Sequence, residues 1–146
     1  SRDMSGFALH PRLIRATVTV GDLALCRVLL IDAKDYPWLL LVPRRGAIEE
    51  IYQLSPADRT LLTEEVAIAS NVLCALFDPF RINVADIGNL CEQLHIHVVG
   101  RQKDGPAWPA VVWSRPCDPW PDDTRRQARR TLFFEEFRKN GGITAP

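Results

Sequence analysis

Two nearly continuous apolar runs, LALCRVLLID (Leu23 to Asp32) and YPWLLLVP (Tyr36 to Pro43), stand on either side of a short turn sequence, AKD. Both are rich in strand-forming and normally buried residue types, and the turn spans three to four residues, so the pair predicts an antiparallel hairpin. A sheet is therefore obligatory, and the next segment supplies a helix. RRGAIEEIYQL is a connector with room for one short helical turn. Ser55 then has the character of an N-cap, with Pro56 at the first helical position and Asp58 in the first turn. Leu62, Val66, Ala69, Leu73 and Leu76 recur at helical spacing as far as Phe77, and Asp78-Pro79 stops the helix.

The second half repeats the mixture. FRINVAD (Phe80 to Asp86) and QLHIHVVGR (Gln93 to Arg101) predict strands joined by a loop around Gly88 and Asn89, and PAVVW (Pro109 to Trp113) predicts a weaker strand. A helix over 122–140 closes the chain, with Phe133, Phe134 and Phe137 on its apolar stripe and Gly141 and Gly142 ending it. Strand runs around one long helix predict an α+β fold: a single domain over 1–146, with a mainly antiparallel sheet of about five strands, one long central helix and a C-terminal helix. Residues 1–8 read as a flexible tail; they hold the only methionine, Met4, and stand outside the fold argument.

Charge excludes some functions. Eighteen basic residues balance eighteen acidic ones, so no global field argues for nucleic acid or an anionic membrane as partner. No apolar run approaches the roughly 18 residues of a membrane span. Cys26, Cys74, Cys91 and Cys117 are scattered without a CxxC pair, which fits reduced thiols in a cytoplasmic protein.

The chemistry concentrates in GNLCEQLHIHVVGRQKD (Gly88 to Asp104), where two of the three histidines stand one residue apart. Strand side chains alternate faces, so Leu94, Ile96 and Val98 go to the core while Gln93, His95 and His97 share the other face, roughly 7 Å between successive side chains. Neutral imidazole is a strong nucleophile near pH 7, with an unperturbed pKa of about 6.5. Attack needs one ring nitrogen free and the other donating to a fixed acceptor, for which a backbone carbonyl beside the strand is the natural candidate. The same pair could instead be metal ligands, although zinc needs a third and His10 is distant in sequence. It could also be a coincidence on a wet strand face.

Other residues have two readings each. Arg44, Arg45 and Arg101 could clamp phosphates or stand solvated at strand ends; only Arg101 shares the histidine face by parity. Trp108 and Trp113 could stack a base or simply pack. The basic run from Arg125 to Arg130 could attract a polyphosphate or form a solvated helix face.

QLHIHVV resembles the histidine-triad motif, His-φ-His-φ-His-φ-φ with φ apolar, with Gln93 in place of the first histidine. The resemblance extends from about Leu23 to Arg101: a hairpin strand ending LVPRR, the long helix, an asparagine on the next strand (Asn83), a Gly-Asn loop before the triad and an arginine after it. It implies a nucleotide hydrolase or nucleotidyl transferase acting at the α-phosphate of an ester, an anhydride (including dinucleoside polyphosphates) or a phosphoramidate. His95 would be the nucleophile, with one ring nitrogen on the backbone carbonyl of Gln93, and His97 the phosphate-side partner, with Gln93 in the triad. Asn83, Asn89 and Arg101 would contact substrate. It further implies a small-molecule nucleotide partner, a homodimer, and neither metal nor cofactor. Two departures stand out: a family histidine is expected near Gly46, and a small hydroxyl residue where Leu90 stands. A nucleotide-binding regulatory module with little or no turnover is the alternative.

Overall fold

The computed structural model describes residues 6–146; the start of the expected tail, 1–5, lies outside the described residues. In chain order the elements are α1 (Pro11–Ala16), β1 (Thr17–Asp22), β2 (Cys26–Ile31), β3 (Trp38–Pro43), α2 (Pro56–Phe77), β4 (Arg81–Asp86), β5 (Ile96–Arg101) and α3 (Asp123–Gly141). The five strands form one antiparallel sheet in the order β1-β2-β3-β5-β4. The α+β class, the long helix and the C-terminal helix are as the sequence indicates.

The hairpin forms, with Leu29 opposite Leu40 and Leu30 opposite Leu39. Its connection is longer than expected, running over 32–37, because Ala33 N–H bonds back to Ile31 and Lys34 N–H turns away to the Asp118 carbonyl. The runs are apolar throughout because both faces of the sheet are covered. Leu39, Leu41, Ile96 and Val98 meet α2 and α3 in the main core. Leu29, Leu40 and Val42 meet Leu13 of α1 and Cys91 on the opposite face, and Trp38 and Val99 meet Val112 there.

Ser55 caps α2 as its sequence suggests, accepting from Asp58 N–H at 3.1 Å, and Asp78 ends the helix in the left-handed region at φ 45°. Taken over its whole span, α2 has the length and apolar composition of a membrane-crossing helix. Here Leu62, Ala69, Val72 and Leu73 bury its inner side against the sheet. Glu65 is buried too, and its two carboxylate oxygens accept from Leu25 and Cys26 N–H at 2.8 Å each, bolting the helix to the start of β2.

Three expectations are corrected. The strand expected over Pro109 to Trp113 is absent: a 3-10 turn at Val112–Ser114 stands there, and the fifth strand is β1, whose TVTV alternation was the missed signal. β5 begins at Ile96 rather than Gln93. The tail is fastened at its described end, since Phe7 and Leu9 pack on the second cluster and the Ala8 carbonyl accepts from Gln93 Nε2 at 2.9 Å.

Candidate functional site

Strand register places the histidines. On β5, His97 stands opposite Leu40 of β3 and Ala85 of β4, on the face away from the long helices. His95 lies one residue before β5 begins, its ring centroid 5.1 Å from that of His97. This face is not wet: His95 is 5% exposed and His97 6%. Both line a cleft of about 430 Å³ that is otherwise mainly apolar, with Leu13, Ile31 and Trp113 among its walls.

Each ring has one nitrogen fixed by a group of unambiguous polarity. His95 Nδ1 lies 2.7 Å from the Gln93 carbonyl, the contact expected from the sequence. A carbonyl only accepts, so Nδ1 carries the hydrogen, and Nε2 of the neutral ring keeps its lone pair. His97 is held the opposite way. Trp38 Nε1 donates to His97 Nδ1 at 3.0 Å. An indole only donates, so the neutral His97 carries its hydrogen on Nε2, which is buried without a hydrogen-bond partner. Burial, and secondly the neighbouring His95, push the His97 pKa down from 6.5 to about 4, against an opposing contribution from the Ile87 backbone. His97 is neutral at pH 7. With both rings neutral, the pair offers one lone pair and one N–H from adjacent rings.

Trp38 comes into reach because β3 pairs with β5. It stands opposite Val99, diagonal to His97 on the same face, and its ring also meets Trp113 edge-on at 5.6 Å. Gly88 lets the preceding loop close beside the site: a Cβ there would lie 2.9 Å from the Cys91 carbonyl and 3.9 Å from His95 Cε1. Asn89, on that loop, lines the cleft with the histidines.

Other sequence candidates are not brought there. The Gln93 side chain is turned to the N-terminal segment, accepting from His10 N–H at 2.8 Å and donating to Ala8; only its backbone carbonyl serves His95. Asn83 stands opposite Val99 rather than His97, and its Oδ1 accepts from Arg101 Nη1 at 2.9 Å. Arg101 is 2% exposed, donates also to the Ala110 carbonyl, and lies over the Tyr36 and Trp108 rings, roughly 13 Å along the strand from His97. Its guanidinium is held by contacts within the fold. Arg45 pairs with Asp58, and Arg44 donates to the Leu23 carbonyl. Gly46 lines neither the cleft nor the polar cavity beside His95, and the side chain that steadies a histidine is Trp38. Among the described residues, no group of three or more His, Cys, Asp and Glu converges as a metal would require.

Residues 14–104 match the family model described as the HIT domain. The chain belongs to the HIT domain family. Its HIT fold is similar to that of a histidine triad protein from Bradyrhizobium japonicum, with 35% identity, a TM-score of 0.85 and coverage of 90% of this chain and 98% of that one. A histidine triad protein from Marinobacter aquaeolei VT8 matches at 33% identity and TM-score 0.88, covering 94% and 100% of the two chains. One from Sinorhizobium meliloti 1021 matches at 34% and 0.83, covering 94% and 99%. Comparison with curated proteins finds no match. The two described histidines of the motif are the part of this HIT domain that its fold brings together in a cleft.

Proposed function

We propose that this HIT domain is a nucleotide hydrolase or nucleotidyl transferase in which His95 Nε2 attacks the α-phosphorus of a nucleotide ester, anhydride or phosphoramidate. The observation that carries the reading is the opposed fixing of the two rings, by the Gln93 carbonyl and the Trp38 indole. The Nε2–P bond forms as the bond from phosphorus to the leaving group breaks, its electron pair departing with that group. The nucleotidyl-imidazolium so formed keeps its Nδ1–H on the Gln93 carbonyl, which stabilises the positive charge. His97 Nε2–H donates to a phosphate oxygen. Water then attacks phosphorus, the P–N bond returns its electrons to Nε2, and the water proton passes to solvent. The apolar cleft with Trp113 suits the nucleoside.

The test is to remove the nucleophile. His95→Ala should abolish product release yet retain nucleotide binding, because affinity comes from the cleft and phosphate donors. Wild-type protein that binds nucleotide but releases no product from any of the three substrate classes would overturn the hydrolase reading. A nucleotide-binding module with little turnover is then favoured by two observations: Leu90, 76% exposed, offers no hydroxyl to the leaving group, and the Gln93 amide is engaged elsewhere.

The homodimer belongs to the same proposal. β4 is an edge strand with Val84 51% exposed, beside a groove lined by Leu62, Val66 and Ile96, with Tyr52 77% exposed nearby. Sedimentation of wild type against Val84→Glu tests it: a wild-type monomer would refute it.

A further inference from the structure

Gln93 stands first in the triad motif, yet its amide holds chain 83 and 85 positions away. Oε1 accepts from His10 N–H at 2.8 Å and Nε2 donates to the Ala8 carbonyl at 2.9 Å, so one side chain clamps a stretch of backbone at two points. His10 carries the strap onward. Its Nδ1 accepts from Arg12 N–H at 3.0 Å at the start of α1, and its Nε2 lies 3.5 Å from Glu92. Leu13, 5% exposed, then seats α1 on the cluster that holds Leu40 and Cys91. A helix of six residues is too short to persist unsupported, so the place of Arg12 depends on how the segment before it is fastened. Apolar contacts from Phe7, Leu9 and Leu13 attach the strap, and the two directional amide bonds fix its orientation.

The strap puts a charge where the cleft otherwise lacks one. Arg12 and Ala16, four apart on one helix face, both line the histidine cleft. Arg12 is the only lysine, arginine, aspartate or glutamate that does so. Its side chain is exposed and makes no hydrogen bond or ion pair among the described residues. Burial raises the Cys91 thiol pKa and Arg12 is among the groups opposing that rise, so its charge is felt at the cleft wall that Cys91 forms. The other arginines are engaged: Arg45 with Asp58, Arg44 with the Leu23 carbonyl, and Arg101 with Asn83 and the Ala110 carbonyl. His97 is neutral at pH 7. A phosphate group is anionic, and a guanidinium meets it with two parallel N–H donors.

Resting on the function proposed above, we infer that Arg12 is the phosphate-binding cation of this cleft, and that Gln93 is the positioning residue that holds it there through the strap from Ala8 to Arg12. The first triad position thus acts on the substrate through the N-terminal segment, at a distance from the histidines it precedes.

The experiment titrates adenosine 5′-monophosphate and adenosine against wild type, Arg12→Gln, Arg12→Lys, Gln93→Ala and the double variant Arg12→Gln, Gln93→Ala. The two ligands differ only in the phosphate, and neither is turned over. Arg12→Gln should weaken the monophosphate by roughly three- to tenfold at low salt, as for one solvent-screened charge pair, and leave adenosine unchanged. Added salt should shrink the loss, and Arg12→Lys should recover part of it. Gln93→Ala should reproduce the loss for the monophosphate alone, and the double variant should bind it no more weakly than Arg12→Gln, because both changes remove the same contact. Arg125→Gln, which removes an equal charge from the exposed face of α3, should change neither affinity. Wild type that binds the monophosphate no better than adenosine, or Arg12→Gln that titrates as wild type, would overturn the inference. Losses that multiply in the double variant would overturn the positioning role of Gln93. Arg12 is exposed, so its replacement keeps the fold and is decisive even where Gln93→Ala lowers stability. The expected pattern in a wild type that releases no product supports the strap while the hydrolase reading fails; product release with Arg12→Gln titrating as wild type does the reverse.

Discussion

Replacing Trp38 by Phe separates the tautomer argument from packing. The change keeps an aromatic ring in a position that is 6% exposed but removes the N–H that His97 Nδ1 accepts. Two costs follow. A buried acceptor left without its donor costs about 1–3 kcal/mol, and the smaller ring adds a partial cavity term of about 1 kcal/mol. Global stability should therefore fall by roughly 2–4 kcal/mol. The functional cost is distinct. Without the indole, the His97 tautomers lose a bias of about 1 kcal/mol, so the Nε2–H form is no longer enforced. Turnover should drop roughly five- to tenfold with KM changing less, because the lost donor acts mainly on charge developing at phosphorus. The assay is kcat and KM on a nucleoside phosphoramidate, read beside ¹⁵N shifts of His97 at pH 7. Wild type should show Nε2 protonated and Nδ1 bare; the variant should show a mixture. A variant that loses stability but keeps wild-type kcat and the wild-type nitrogen pattern would refute the reasoning and leave Trp38 as packing alone.

Further expectations concern the groups around the site. His97 holds a folded pKa near 4 against 6.5, so between those values the unfolded chain binds a proton that the folded chain does not. Its contribution is full above pH 6.5 and falls as pH drops towards 4, by up to about 3 kcal/mol; urea titrations across this window should show that slope, and His97→Asn should lose it. Gln93→Ala should free the segment near His10, read as faster amide exchange at His10, whose N–H bonds the Gln93 side chain; unchanged exchange would mean that bond does not hold the segment. Arg101→Gln should destabilise the fold through its lost contacts to Asn83 and Ala110 with little change in KM, whereas a large KM rise would return Arg101 to the substrate. Glu65→Ala strands the Leu25 and Cys26 N–H groups and should cost about 2–4 kcal/mol in denaturant unfolding.

By itself the sequence determined what depends on neighbours along the chain. The Ser55-Pro56 start and Asp78-Pro79 stop of α2 lie within one turn of the residues they govern, and the β2–β3 pairing follows from two apolar runs joined by a short connection. His95 with the Gln93 carbonyl is of the same kind, a contact two residues apart that the motif already contains. What only the tertiary structure decided depends on pairing and burial across long separations. Trp38 reaches His97, fifty-nine positions away, because β5 inserts between β3 and β4, an ordering no local pattern encodes. Arg101 shares the histidine face, as parity requires, yet the Tyr36 and Trp108 rings and the Ala110 carbonyl hold its guanidinium away from the histidines. Gln93 carries the motif's polar character but is drawn off by the N-terminal segment. Alternation fixes the face of a side chain, whereas the partner it meets there depends on which distant segments cover that face.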